Sequence, residues 1–301
     1  MRTFEAFEFV TLPFPVPPKA HEDYLGEQII MRQESYGLPA YKISTGAGEL
    51  KGKLSLWGWV IASLILAILL WEAIVLVGKY PTYILPTPME VWQRFLQSLA
   101  DGTWWTHTRI TLLESILGFA LGFGVAAVFG YILAHWRAVE RLLSPHIAAS
   151  QALPVVAIAP LITLWFGYGL LGKVIVCALV VFFPILVNTI VGIRNVPRDL
   201  IEVAQVYGAG WWQTFWMVEL PLSLPVLLGG IRLGLTLSIT GAVVGEFVGA
   251  DVGLGVLLNI SKGMFDTPLM FVALITLALM AAAFYGIALL LEKILLAWHY
   301  E

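Results

Sequence analysis

Apolar and polar positions alternate along this chain on the scale of whole helices. Six apolar runs stand out, at about 57–78, 110–135, 147–167, 174–193, 226–248 and 269–291. Each is close to the ~20 residues that cross a hydrocarbon layer ~30 Å thick at ~1.5 Å per residue. The pattern predicts an all-α polytopic membrane protein: a transmembrane domain of six helices over 54–301, preceded by a polar tail over 1–53. The tail clusters Pro13, Pro15, Pro17 and Pro18 and has no apolar core of signal-peptide type near Met1. It is expected to be an uncleaved, mostly extended peripheral segment.

The runs differ in ways that matter. The first holds one acid, Glu72, near its far end, and an amphipathic helix is expected around Met89–Ala100 after it. The second is rich in Gly and Ala, and its Gly118–Gly122 pair reads as close helix packing. Pro154 and Pro160 interrupt the third run, while the fourth contains Pro184 and Asn188. The fifth opens near Arg232 and closes on Glu246. An intramembrane acid is costly, so Glu246 is expected either to work in the solute pathway or to be paired, with Arg232 or a donor from another subunit as its mate. Gln151 and Asn188 are further polar groups on spans that are candidates to face the pathway.

One polar interval breaks the rhythm with a pattern of its own: the loop at 194–225, which contains IEVAQVYGAGWWQTFWMVELPLSLP. Asp199 or Asn195 can cap a short helix, with Glu202 in its first turn where the helix dipole favours a carboxylate. Gly208 can take the left-handed backbone that ends the helix. A second helix, Trp211–Glu219, follows, and Pro221 and Pro225 stiffen the re-entry into the next run. A helix lying on the lipid surface would account for the tryptophans, but it predicts no fixed spacing of Glu, Gly and Pro.

Composition supports a membrane protein and removes other classes. The 301 residues are 59% hydrophobic and only 12% charged, with twelve Trp and a mean hydropathy of +0.86. The net charge of −3 carries less information than its distribution. With six spans, twelve of the seventeen Lys and Arg fall on the side of the termini and of the 194–225 loop, which predicts that this side is cytoplasmic. The single cysteine, Cys177, reads as a small buried hydrophobe, and no histidine pair has metal-ligand spacing. There is no phosphate-binding G-x4-GK[ST] run, no nucleophile elbow and no paired-carboxylate arrangement on a soluble domain. The chain is not expected to be an enzyme.

The order Glu202, Ala204, Gly208, Val218, Leu220, Pro221 resembles the EAA-x3-G-x9-I-x-L-P coupling motif of binding-protein-dependent ABC transporter permeases, with Val203 in place of the usual second Ala. Three further segments resemble the same family: Ile84–Val91 (LP-x-P-x-x-V), Ala152–Lys173 (ALP, a PL pair, LWFG-x-G) and Val244–Gly255 (GE-x-x-G-x3-GLG, including Glu246). The resemblance covers about 57–291 and is strongest to the nitrate, sulfonate, taurine and bicarbonate branch with its vitamin-precursor relatives.

It implies a type I importer in the bacterial inner membrane: two copies of the permease, two cytoplasmic ATPase subunits and an external solute-binding protein, with no nucleic acid involved. ATP and Mg would be bound by the ATPases, and this chain would need no cofactor. Glu202, Ala204, Gly208, Leu220 and Pro221 would form the elbow that docks on the ATPase. The runs GAVVGEFVGADVGLG and FFPILVNTIVGIR are most similar to permeases for riboflavin or for pyrimidine precursors of thiamine; nitrate, sulfonate, taurine or bicarbonate import is the alternative. Two readings of another class are a proton-coupled secondary transporter, with Glu72 and Glu246 as carriers, and a membrane scaffold whose loop recruits a soluble partner. The first would require repeated halves and midplane acids, and neither is found.

Overall fold

The computed structural model describes residues 47–297, so nearly all of the predicted tail lies outside the described residues. Ten helices run in order: α1 (Ala47–Gly78), α2 (Pro88–Ala100), α3 (Thr103–His135), α4 (Arg137–Ala152), α5 (Val155–Phe166), α6 (Leu170–Arg194), α7 (Arg198–Val206), α8 (Trp211–Gly249), α9 (Leu254–Gly263) and α10 (Thr267–Leu295). Contacts divide the chain between Ala67 and Ile68, within α1. The described part of the first unit is the N-terminal two-thirds of that helix. All packing below belongs to the second unit.

Among the described residues five helices are long and apolar enough to cross a membrane, and a sixth crossing requires the bent pair α4 and α5 to count as one. The third run over 147–167, expected to be interrupted by Pro154 and Pro160, falls in that pair, and the chain turns by 98° between the two helices. Pro154 is the cause. The residue before a proline is driven out of helical conformation, and Leu153 is extended (φ −79°, ψ 123°).

The fifth crossing also differs from expectation. It starts at Trp211, 15 residues before the predicted 226, because Pro221 and Pro225 sit inside the helix rather than ahead of it. A π-helical turn at Phe215–Glu219, closed by Leu220 N–H donating to the Phe215 carbonyl, lies immediately before Pro221. In a regular turn the Pro221 ring would press on the carbonyl four residues back, and the wider turn relieves this. At ~1.5 Å per residue the 39 residues of α8 extend about 58 Å, so one end projects well beyond a ~30 Å apolar layer.

At the centre, α6 is clasped between α3 and α8 through seams of small residues. Gly118, Gly122, Ala126 and Gly130 repeat at intervals of four along α3, facing Cys177, Ala178, Val181 and Thr189 on α6. A Cβ at Gly122 would come within 2.7 Å of the Ala178 carbonyl oxygen. On the other flank, Gly230, Gly234, Gly241 and Gly245 of α8 meet Asn188, Ile185, Cys177 and Lys173. Lipid tails are as apolar as the helices, so close backbone approach and dispersion hold such a seam together. Cys177 lies fully buried between the two glycine rows, as a small hydrophobe should.

A second cluster gathers α2, α9 and α10 around Leu254, Leu257, Leu258, Leu269, Val272 and Ala273. Its borders are polar and directional. Arg94 pairs with Asp266 at 2.8 Å, Trp104 Nε1 donates to Thr276 at 3.0 Å, and Trp71 stacks on Phe271 at 5.2 Å. The predicted amphipathic helix is α2. Its N-terminus is closed by a reciprocal capping box between Thr87 and Glu90.

Candidate functional site

The motif-bearing loop folds into a compact elbow. Helix α7 is capped by Pro197 rather than by the expected Asn195 or Asp199 side chain, and Glu202 falls in its middle instead of its first turn. Gly208 is left-handed (φ +84°). Gly208 N–H donates to the Gln205 carbonyl and Ala209 N–H to the Ala204 carbonyl, both at 2.9 Å. This pair of bonds is a Schellman closure, and it needs a residue without Cβ at the left-handed position. Gly210 then starts α8, its N–H donating to Gln213 Oε1 at 3.0 Å.

No residue of α7 is buried. Leu200, Val203, Val206 and Tyr207 form an exposed apolar stripe, Tyr207 reaching 88% exposure, with the carboxylate of Glu202 exposed beside it. Ile201 and Ala204 are half-buried. Leu220 and Pro221 are half-buried after the π-turn, so the motif bridges an exposed helix and the base of a long buried one.

Glu246 lies near the far end of α8, 2% exposed. Its mate is not Arg232, about 21 Å away along the same helix at ~1.5 Å per residue. Arg232 instead pairs with Glu292 and sits over the Tyr285 ring. Glu246 accepts from Thr111 Oγ1 at 2.6 Å and from Gly255 N–H, while Thr111 Oγ1 accepts from Leu254 N–H at 2.8 Å. Any Cβ on Gly253 or Gly255 would run into this carboxylate, which accounts for the glycine spacing of the segment. His107 Nδ1 lies 2.7 Å from the Gly253 carbonyl oxygen on the same turn. Glu246 is thus a buried keystone joining α3, α8 and the start of α9.

The two remaining predicted residues do not join it. Gln151 is exposed at the end of α4. Asn188 is half-buried in the α6–α8 seam against Gly230, its amide donating to the Pro184 carbonyl at 2.8 Å. Gly230 and Glu246 stand about 24 Å apart along α8.

Other residues emerge only in three dimensions. Glu114 and Lys173 form a fully buried ion pair between α3 and α6, next to Glu246. Glu219, 5% exposed, accepts from Tyr131 Oη at 2.9 Å and faces His135 Nε2 at 3.0 Å. Glu114 was visible as an acid inside the second apolar run and Glu219 as the one acid among aromatic residues, but their partners lie on distant segments.

An α6 core clasped by glycine seams and a helical elbow between two crossings define a class of membrane-embedded transport subunit. Residues 126–296 match the model of the family described as binding-protein-dependent transport system inner membrane component, and the chain belongs to that family. It is a multi-pass membrane protein and the permease subunit of an ABC importer, a transport component that works with ATPase and binding-protein partners.

Among its relatives is the riboflavin transport system permease protein RibX of Chloroflexus aurantiacus, 55% identical over 236 residues (78% of this chain and 88% of that protein). The formylaminopyrimidine transport permease protein ThiX of Halalkalibacterium halodurans is 34% identical over 234 residues, covering 78% of this chain and 93% of its own. The fold is similar to that of an inward-facing MetNI methionine ABC transporter chain, with TM-score 0.55 and 20% identity over 64% of this chain and 94% of that one.

Proposed function

We propose that this permease imports riboflavin, delivered by an external binding protein and driven by ATPases docked on α7. The observation that carries the substrate is the 55% identity to a riboflavin permease, sustained over 88% of that protein's length. The pyrimidine-precursor relative, at 34%, makes a flavin the first choice among the vitamin-type solutes.

The coupling role rests on the elbow. An apolar stripe on a short exposed helix, flanked by the Glu202 carboxylate, suits a groove on a soluble partner, with Glu202 making charge-assisted bonds there. On this reading the elbow is cytoplasmic, both termini share its side, and two copies of the chain meet two ATPases. ATP and Mg bind only in those partners. Closure of the ATPases displaces α7, and the Schellman closure with the unbroken α8 passes that displacement into the membrane.

The test is reconstitution of the permease with its ATPase and binding protein, with ATP-dependent uptake measured for flavin, pyrimidine, sulfonate and nitrate. Riboflavin is expected to be the solute both bound and accumulated. Accumulation of one of the other three in its place would replace the substrate assignment, and uptake that follows a proton gradient without ATP would contradict the importer reading.

A further inference from the structure

The two ends of the elbow are fastened to the same turn of α3. Before α7, Arg194 donates to the Leu133 carbonyl at 2.9 Å and the Ala134 carbonyl at 3.3 Å, and forks onto Glu140 with two bonds of 2.6 Å. After α7, Glu219 takes the Tyr131 hydroxyl at 2.9 Å and His135 Nε2 at 3.0 Å. Tyr131 is also held by rings on the elbow side, Phe215 at 5.1 Å and Trp211 at 6.3 Å. Glu219 is nearly inaccessible and lies inside the π-turn, beside a largely apolar cavity of about 920 Å³ lined by Trp212, Phe215, Trp216 and Leu220. A carboxylate in such surroundings is costly unless its partners are fixed, and both partners belong to α3.

We infer that Glu219 is a positioning residue for energy coupling: with Arg194 it clamps the elbow to the last turn of α3, so that displacement of α7 moves α3 and α8 as one body. This rests on the coupling role proposed for α7. Without the clamp, α7 would drive α8 alone while α3, packed along α6 through its glycine seam, lagged behind. The π-turn is the element that would absorb the slip, since it is the irregular turn between the elbow and the regular part of α8.

The experiment uses the complete transporter in proteoliposomes, reading solute moved per ATP hydrolysed and retention of the ATPase on purification. Glu219→Ala removes the bonds to both Tyr131 and His135 and is expected to retain the ATPase and to lower the solute-to-ATP ratio about tenfold or more, about 1.4 kcal/mol per factor of ten. Glu219→Gln still accepts the Tyr131 hydroxyl and is expected to recover the ratio to within about twofold. Tyr131→Phe keeps the ring contacts and removes one hydroxyl. It is expected to lower the ratio severalfold, and it decides the matter should Glu219→Ala fail to assemble. An unchanged ratio in Glu219→Ala, or in Tyr131→Phe if that variant must decide, overturns the clamp. An ATPase found attached away from α7 in the wild-type complex would instead sink the underlying coupling role, whatever the clamp variants do.

Discussion

Replacing Glu246 separates a carboxylate that holds the structure from one that carries a proton. In the Ala variant the N–H of Gly255 loses its acceptor and the hydroxyl of Thr111 keeps only the long bond to the His107 carbonyl at 3.3 Å, and both residues are buried. An unsatisfied buried polar group costs about 1–3 kcal/mol, while hydrogen bonds measured between membrane helices average nearer ~0.6 kcal/mol. Two such losses, with the void left by the side chain, give about 2–4 kcal/mol. For a protein of this size that corresponds to a melting midpoint lowered by about 3–6 °C in detergent. Glu246→Gln is nearly isosteric and can satisfy both partners, its Oε1 accepting from Gly255 N–H and its Nε2 donating to Thr111 Oγ1. It is expected to melt within about 1 °C of wild type and to retain ATP-dependent uptake. An Ala variant as stable as wild type would refute the keystone assignment. A Gln variant that is stable yet inactive would show that the ionisable proton matters.

Three further outcomes follow from the same structure. Lys173→Met leaves Glu114 buried without its ion-pair partner and should cost about 3–5 kcal/mol, whereas the double variant with Glu114→Leu should recover much of the loss, as read by thermal melting of each. In Gly208→Val the added Cβ meets no neighbouring atom, but the residue must adopt φ +84°, a strain of about 1–2 kcal/mol confined to the elbow; membrane insertion should be normal and uptake abolished, and wild-type uptake with normal ATPase co-purification would contradict this.

At Glu90, hydrogen bonds from the Thr82 side chain and then the Thr87 backbone hold the carboxyl below its usual range. A lowered folded-state value means the stabilisation is complete above the unfolded carboxyl's pKa of ~4.3 and is lost as pH falls through the folded value. Glu90→Gln should therefore flatten the acid limb of the melting-temperature profile, and an unchanged limb would remove Glu90 from that account.

The crossings were legible because an apolar run of sufficient length has few alternatives to a membrane helix, and the Gly118–Gly122 pair correctly signalled close packing. Proline positions were visible and an interruption of the third run was expected, but the size of the turn at Pro154 and the fate of Pro221 and Pro225 were not. Pro154 breaks the third span into two helices, whereas Pro221 and Pro225 are absorbed into α8 by one π-turn. Which happens depends on neighbours that free or satisfy the displaced carbonyls, and sequence spacing does not contain that information. Similarly, the tail boundary expected at 53 falls inside α1, which is already helical at Ala47.

Gly208 was readable because a left-handed helix end has a residue preference of its own, while the cap at the other end went to Pro197 without a side-chain bond. For Glu246 the cost of burial pointed to either a pathway role or a partner, and Arg232, one of the two mates considered, is not bonded to it. Arg232 shares a helix with it, and the donors come from α3 and from the start of α9. Glu219 was passed over for the same reason, its two partners being more than 80 residues away in sequence.

The central claim, that α7 is where ATP-driven motion enters this chain, is tested most directly by site-specific crosslinking. Cys177 is fully buried, so a single cysteine introduced at Val203 or Tyr207 is the reactive thiol among the described residues. In the assembled transporter that thiol should crosslink to the ATPase subunit, with a yield that changes between nucleotide-free and ATP-bound states. Labelling of the same thiol by an impermeant reagent from the outer face of intact cells, with no crosslink to the ATPase in either state, would contradict it.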